Sequence, residues 1–224
     1  MSNKKPRVII VDDHPLLRER LAELINHELD MEVCGEAENA QDAIQLIRNT
    51  WPDLAIVDIT LKGSSGLELI KSVRALSIGI PVLVLSMHDE TLYAERALRA
   101  GASGYITKHQ AADQIIQAVR RVLAGEVYLS ERMTASILKS LTAGVKSIPR
   151  PVDRLTDREL EVLELIGSGH TTREIAETLK LGVATVDTYR GRIKEKMNFQ
   201  NATELHPAET MDAGWRESAI DRIR

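Results

Sequence analysis

Several things this 224-residue chain lacks bound what it can be. A lone cysteine, Cys34, excludes an internal disulfide, and with no second thiol or histidine nearby at ligand spacing it reads as a small core residue, not a zinc or redox site. Long hydrophobic runs are missing too. The N-terminal stretch "MSNKKPRVIIVDDHP" holds two lysines before an apolar run of four residues, far short of a signal sequence, and no later run approaches a membrane span. The expected location is the cytoplasm, with no membrane partner. An excess of basic charge is absent as well: the net charge of −4 argues, taken alone, against a nucleic-acid partner. Internal repeats and low-complexity segments are not seen.

What is present describes a globular protein of two domains. Apolar residues make up 43% and charged residues 28%, enough apolar material over this length for two ordinary cores. From residue 7 to 125 short β-branched runs alternate with helical patterns. The runs are "RVIIVDD", "MEVCGEA", "DLAIVDI", "PVLVLSM" and "GYITK", and the helices lie near 15–27, 39–50, 66–76, 89–100 and 111–124. Five successive βα units predict a doubly wound, five-stranded parallel sheet, because right-handed crossovers place helices on both of its faces.

Ligands of such sheets bind beyond the carboxyl ends of the strands. There the sequence places Asp12 and Asp13 on the first strand, Asp58 on the third, Ser86 on the fourth and Lys108 on the fifth. Two adjacent carboxylates after an apolar strand need a counter-charge to stay ionised, although a solvated turn with Asp13 capping the helix from Pro15 would also account for them. Three carboxylates from neighbouring strand ends suit a hard divalent cation, with Mg²⁺ favoured because it bridges carboxylates and phosphate oxygens. With Asp58 as acceptor, Lys108 as cation and the Ser86 hydroxyl as donor, the parts for phosphoryl transfer are assembled.

After "VLAGEVYLS" a helical pattern runs to about Leu141, and "TAGVKSIPRPVD" (142–153) reads as a linker. The expected division is 1–126, an extension and linker over 127–153, and 154–224. The last part reads as three helices without a strand. The first is capped by Thr156 with Glu159 three residues on and ended by Gly167 and Gly169, the second spans 172–179, and the third spans 183–197. Two short helices joined by a tight turn, the second basic, form a helix-turn-helix whose second helix enters the major groove. That helix carries Arg190, Arg192, Lys194 and Lys196 against Glu195, so local charge overrules the net total. Val186, Ile193 and Met197 project to one face, and Ala184, Asp187, Thr188 and Gly191 to the other. We expect phosphate contacts from Arg190, Lys194 and Lys196, and base reading by Asp187, Thr188 and Arg192.

These motifs carry a resemblance. "VDDH", "DLAIVDITLKGSSGLELI", "VLSMHDE" and "AGASGYITK" fall in the order and spacing of the receiver domain of two-component response regulators, which is flavodoxin-like. "LTDRELEVLELI", "REIAETL", "TVDTYRGRI" and "NATEL" resemble a LuxR-type helix-turn-helix. Together they resemble the NarL/FixJ family. The resemblance implies that a sensor histidine kinase phosphorylates Asp58, that Asp12, Asp13, Asp58 and the Thr60 carbonyl hold Mg²⁺, and that Ser86, Lys108 and an inward-turning Tyr105 form the switch. It also implies that Thr60 and His88 flank the path of attacking water. Promoter DNA is the implied partner, with RNA polymerase a further one and a homodimer the phosphorylated state; the protein is then a transcription regulator and no enzyme beyond its own phosphorylation and dephosphorylation. Departures are Lys62, which replaces a usual proline and could loosen its loop or add a cation near the phosphate, Gly182 for a capping serine, Tyr189 for a common histidine, and Pro207, which interrupts the usual final dimer helix. A restart at Ala208 would align Met211, Trp215, Ala219 and Ile223. Two rivals are weighed: an aspartyl-phosphate phosphotransferase, which would carry its nucleophile in an Asp-x-Asp pattern on the first strand, and a phosphate-independent dimerisation module, against which the intact rim residues speak.

Overall fold

In the computed structural model, residues 4–76, 79–110, 112–142 and 151–199 are described, so the expectations for the segment from Asn201 to Leu205, for Pro207 and for the stripe from Met211 to Ile223 lie outside the described residues. The chain divides into two compact units, Met1–Ala143 and Gly144–Arg224.

In the first unit the elements are β1 (Arg7–Val11), α1 (Pro15–His27), β2 (Glu32–Ala37), α2 (Ala40–Thr50), β3 (Leu54–Val57), a short hairpin of β4 (Thr60–Leu61) and β5 (Ser64–Ser65), and α3 (Gly66–Ala75). They continue with β6 (Val82–Ser86), α4 (Glu90–Ala100), β7 (Gly104–Thr107), α5 (Ala112–Leu123) and α6 (Glu131–Thr142). The five-stranded sheet runs β2-β1-β3-β6-β7, all parallel. The β-branched runs Val8–Val11, Leu54–Val57 and Val82–Leu85 are buried throughout because helices cover both faces. Val8, Ile10, Leu54 and Ile56 meet Leu21 and Ile25 of α1 and Ile115, Val119 and Val122 of α5; α2, α3 and α4 cover the opposite face. Truncating a residue such as Ile56 to Ala costs about 2–5 kcal/mol, since a close-packed core cannot collapse fully around the loss.

Two details depart from the sequence reading. Cys34 is half-buried on the edge strand β2, at the point where the register with β1 slips between Val8 and Ile9, so it is not a core residue. The helix α1 is capped at His14, with no side-chain cap bond and Pro15 in its first turn, so Asp13 is not a helix cap. Beyond α5 the chain turns back along the outer edge of β7. Tyr128 bridges Gly104, accepting from the Tyr105 N–H at 2.8 Å and donating to the Ser103 carbonyl at 3.1 Å.

The first described element of the second unit is a 3-10 turn at Pro151–Arg154, which begins within the last residues of the expected linker; Val152 and Leu155 are buried, which ties this turn to the core. Then come α7 (Asp157–Gly167), α8 (Thr172–Leu179) and α9 (Val183–Met197). Leu160, Val162, Ile166, Ile175, Leu179, Val186 and Ile193 form the core. Capping boxes at Thr156/Glu159 and Thr171/Glu174 close the first turns of α7 and α8. At α9 the cap position is Gly182, without a side-chain bond. Three charged side chains are buried here. Glu159 pairs with Lys196 at 2.6 Å, while Arg158 pairs with Glu161 and donates to the Leu179 carbonyl at 3.0 Å. Among the described residues no helix is long and apolar enough to cross a membrane.

Candidate functional site

The register of the sheet builds the site. Val11 of β1 and Val57 of β3 lie abreast, so the next residues, Asp12 and Asp58, leave the two central strands side by side; the Asp58 N–H donates to the Val11 carbonyl at 2.9 Å. At the other neighbour pair Ser86 of β6 faces Thr107 of β7, and Lys108 follows, its N–H donating to the Ser86 carbonyl at 2.9 Å. From there the lysine reaches back across the sheet end. Its Nζ lies 2.6 Å from Asp12 Oδ2 and 2.7 Å from Asp58 Oδ2, and all three side chains are only 3–4% exposed.

One ammonium between two buried carboxylates leaves the pocket short of positive charge. Burial pushes the Asp58 carboxyl above the ordinary carboxylate range; Lys108 pulls it down, and the Asp12 charge adds to the rise. Asp13 and His14 complete the cluster. The His14 Nδ1 is 3.1 Å from Asp12 Oδ1 and 3.0 Å from Asp13 Oδ1, and the His14 N–H donates to Asp12 at 2.8 Å. One ligand atom each from Asp12, Asp13, His14 and Asp58 lie within 4.8 Å of one another, a donor set that can hold a metal ion. Arg18 fixes the strand end from below, donating to the Asp12 carbonyl at 2.6 Å and to Glu36 at 3.1 Å.

Around Asp58 the backbone is tightly constrained. The β4–β5 hairpin returns the chain so that Gly66, opening α3, lies against Asp58: a Cβ at Gly66 would sit 1.9 Å from the Asp58 carbonyl oxygen, so only glycine fits. Gly63, at the hairpin tip, has φ +72°, the left-handed region. Lys62 points to Glu38 at 3.2 Å, an exposed pair across the rim.

Ser86 and Tyr105, expected as switch residues, and Thr60 and His88, expected beside the path of attacking water, form one connected set. Thr60 Oγ1 is 2.9 Å from His88 Nε2; the His88 N–H donates to Ser86 Oγ at 3.3 Å; the His88 ring packs on Tyr93 with centroids 4.5 Å apart. Tyr105 is buried, and its hydroxyl donates to the His88 carbonyl at 2.9 Å, which places the ring inward. Sequence reasoning missed the part of His14 in the cluster, although a histidine directly after an Asp pair was a legible signal. It also missed Arg18, for which an isolated basic residue on a helix gives no signal.

On α9, Ala184, Asp187, Thr188, Gly191 and Arg192 are exposed and Arg190 and Lys194 half-buried, opposite the buried Val186 and Ile193. The Thr188 hydroxyl donates to the Ala184 carbonyl at 2.9 Å. Lys196 is engaged inward with Glu159. Burial alone raises the Glu159 carboxyl, but the Lys196 ammonium and the Thr156 N–H outweigh it and hold the group below its usual range.

Comparison with known proteins places these two units. Residues 8–120 match the response regulator receiver domain, and residues 153–206 match the bacterial regulatory proteins of the luxR family. The chain therefore belongs to the response regulators of transcription, of the NarL/FixJ type. It is 33% identical over 205 residues to the nitrate/nitrite response regulator protein NarL of Escherichia coli K12, covering 91% of this chain and 95% of that one. With the transcriptional regulatory protein DegU of Brevibacillus brevis it shares 31% identity over 229 residues, covering 96% and 97%. A solved LuxR-family two-component response regulator from Aurantimonas sp. SI85-9A1 superposes with a TM-score of 0.58 at 34% identity, over 62% of this chain and 99% of that one.

Proposed function

We propose that Asp58 accepts a phosphoryl group from the phosphohistidine of a sensor kinase and that this event controls binding of α9 to promoter DNA. The observation that carries the reading is Lys108, buried between Asp12 and Asp58 in a pocket with surplus negative charge. Such a pocket is poorly matched to its own resident charges and well matched to an added cation and phosphoryl group. Asp12, Asp13, Asp58 and the Thr60 carbonyl would hold Mg²⁺, which when bound neutralises phosphoryl oxygens. A carboxylate oxygen of Asp58 attacks phosphorus in line, the O–P bond forms as the N–P bond of the donor imidazole breaks, and that imidazole nitrogen keeps the electron pair and takes a proton. Lys108 shifts from carboxylate to phosphoryl oxygen, and Ser86 donates its hydroxyl to a second one.

The domain reading is a receiver over 1–126, an extension and linker over 127–153, and a DNA-binding domain over 154–224, acting in the cytoplasm. On α9 the exposed Asp187, Thr188 and Arg192 read bases while Arg190 and Lys194 contact phosphates; Lys196, expected to contact phosphate as well, is instead engaged by Glu159 at 2.6 Å. The test is incubation with Mg²⁺ and acetyl phosphate followed by mass measurement. Gain of one phosphoryl group by the native chain and none by Asp58→Asn is expected; equal gain by both refutes the assignment.

A further inference from the structure

We propose that Glu90 and Ser130 form a clasp through which the state of the Asp58 site sets the start of α6, an inference that rests on the phosphoacceptor reading above. The geometry is a closed ring of contacts through Tyr105. Its hydroxyl donates to the His88 carbonyl at 2.9 Å, two residues before Glu90, the first residue of α4. The Glu90 carboxylate accepts two bonds from Ser130, from the N–H at 3.0 Å and from the hydroxyl at 2.6 Å. Two residues before Ser130, the Tyr128 carbonyl accepts the Tyr105 N–H at 2.8 Å, which closes the ring. Side chain and backbone of one switch residue thus hold the two strands of chain that the clasp joins.

Ser130 is also where α6 begins. Its Oγ accepts from the Met133 N–H at 3.1 Å and its carbonyl from the Thr134 N–H at 2.9 Å, so the hydroxyl that caps α6 is the one that donates to Glu90. Of the α6 side chains whose burial is described, only Met133 is buried, so this helix depends on its cap and on α4 more than on a core of its own. Charge-assisted bonds to a carboxylate are the strong, directional kind, suited to passing on a shift of a few tenths of an ångström.

The other end of the clasp is tied to the phosphoacceptor site. Ser86 Oγ accepts the His88 N–H, and Thr60 Oγ1 meets the His88 ring, so the loop that carries Glu90 is held by two hydroxyls at the strand ends nearest Asp58. When Ser86 turns its hydroxyl to a phosphoryl oxygen, the 86–90 loop follows, and Glu90 carries the shift to Ser130. Because the His88 N–H is bonded to Ser86 Oγ and the His88 carbonyl to the Tyr105 hydroxyl, a pull of the Ser86 hydroxyl toward a phosphoryl oxygen is passed along 86–90 while Tyr105 holds both sides of the ring, which tightens the clasp and firms α6, the last described element before the second unit.

Amide hydrogen exchange on the full chain tests this, with Mg²⁺ alone and with Mg²⁺ plus acetyl phosphate, mass being read on the same samples. In the native chain, phosphorylation is expected to slow exchange at α6 amides by about fivefold to tenfold, the scale of one charge-assisted cap contact. In Glu90→Ala and the isosteric Glu90→Gln the phosphoryl mass gain is expected to persist while the α6 response falls below about twofold; Ser130→Thr, which keeps cap and donor, is expected to retain it. Protection of α1 amides in the same data reports on folding. A native chain that gains the phosphoryl group without slowing at α6, or Glu90 variants that respond as the native chain does, overturns the clasp alone. A native chain that takes up no phosphoryl group overturns the phosphoacceptor reading, and the clasp with it.

Discussion

Each of the two units buries carboxylate against a single lysine, with opposite outcomes. In the first, Lys108 is shared by Asp12 and Asp58 while Asp13 stands alongside, and burial drives the Asp58 carboxyl upward. In the second, Glu159 has Lys196 to itself and also accepts from the Thr156 N–H within its capping box, and the group is held low. The chemistry of the ion pairs is the same. What differs is whether the donors match the acceptors, and that separates the site proposed to take a cation and a phosphoryl group from a contact that closes a core.

The largest expected effect that sharpens this contrast is removal of the lysines. Lys108→Ala leaves two buried carboxylates together, which is expected to lower the stability of the first unit by about 3–5 kcal/mol without divalent ions, with part of the loss restored by millimolar Mg²⁺. Lys196→Ala is expected to cost the second unit about 2 kcal/mol, since its lysine is one-third exposed, with no rescue by Mg²⁺. Urea unfolding of the full chain with EDTA or Mg²⁺ measures both. Equal rescue in the two variants would erase the distinction.

Next is the sign of the pH dependence. A carboxyl raised in the folded state binds its proton more tightly there than in the unfolded chain, so the Asp58 contribution grows more favourable as pH falls from neutral toward its ordinary value of 3.8. Glu159 is lowered, so its stabilisation is full above its ordinary value of 4.5 and is lost as pH falls through the folded value. Asp58→Asn is therefore expected to stabilise the first unit at neutral pH in EDTA by about 1 kcal/mol, an advantage that shrinks on acidification. Glu159→Gln should do the reverse in the second unit. Thermal unfolding of each variant against the native chain across this range checks the two signs.

The last contrast concerns α9, where the effect is on binding and leaves folding stability aside. Lys194→Ala is expected to weaken DNA binding about equally on all sequences and to lower the salt slope by roughly one, whereas Thr188→Ala changes preference at one base pair at a cost of about 1–3 kcal/mol. Lys196→Ala acts through the Glu159 contact, so its loss of binding should track its loss of stability. Titrations on matched and scrambled duplexes at several salt concentrations separate the three.

Legibility in the sequence followed the range of the interactions. Strand ends and helix spans could be read because each rests on local periodicity and turn chemistry: the helices at 172–179 and 183–197 fall where the spacing predicts, and Asp12, Asp58 and Lys108 meet because parallel strands bring like ends together. The β4–β5 hairpin, two residues per strand, carries too little pattern to be seen, and the left-handed Gly63 and the close approach of Gly66 to Asp58 emerge only in the structure. Lys196 reads as one more base on a basic helix; only the packing of α7 on α9 aims it at Glu159. Lys62 likewise finds Glu38 across the rim, a pairing between residues 24 apart in the chain that no local rule gives.

DNA affinity measured with and without phosphorylation tests the central claim most directly, in the native chain and in Asp58→Asn, on a duplex selected from a random pool by the phosphorylated protein. Acetyl phosphate with Mg²⁺ is expected to raise the affinity of the native chain and to leave Asp58→Asn unchanged. A rise of equal size in both chains, or none in a native chain that has gained its phosphoryl group, would contradict the account.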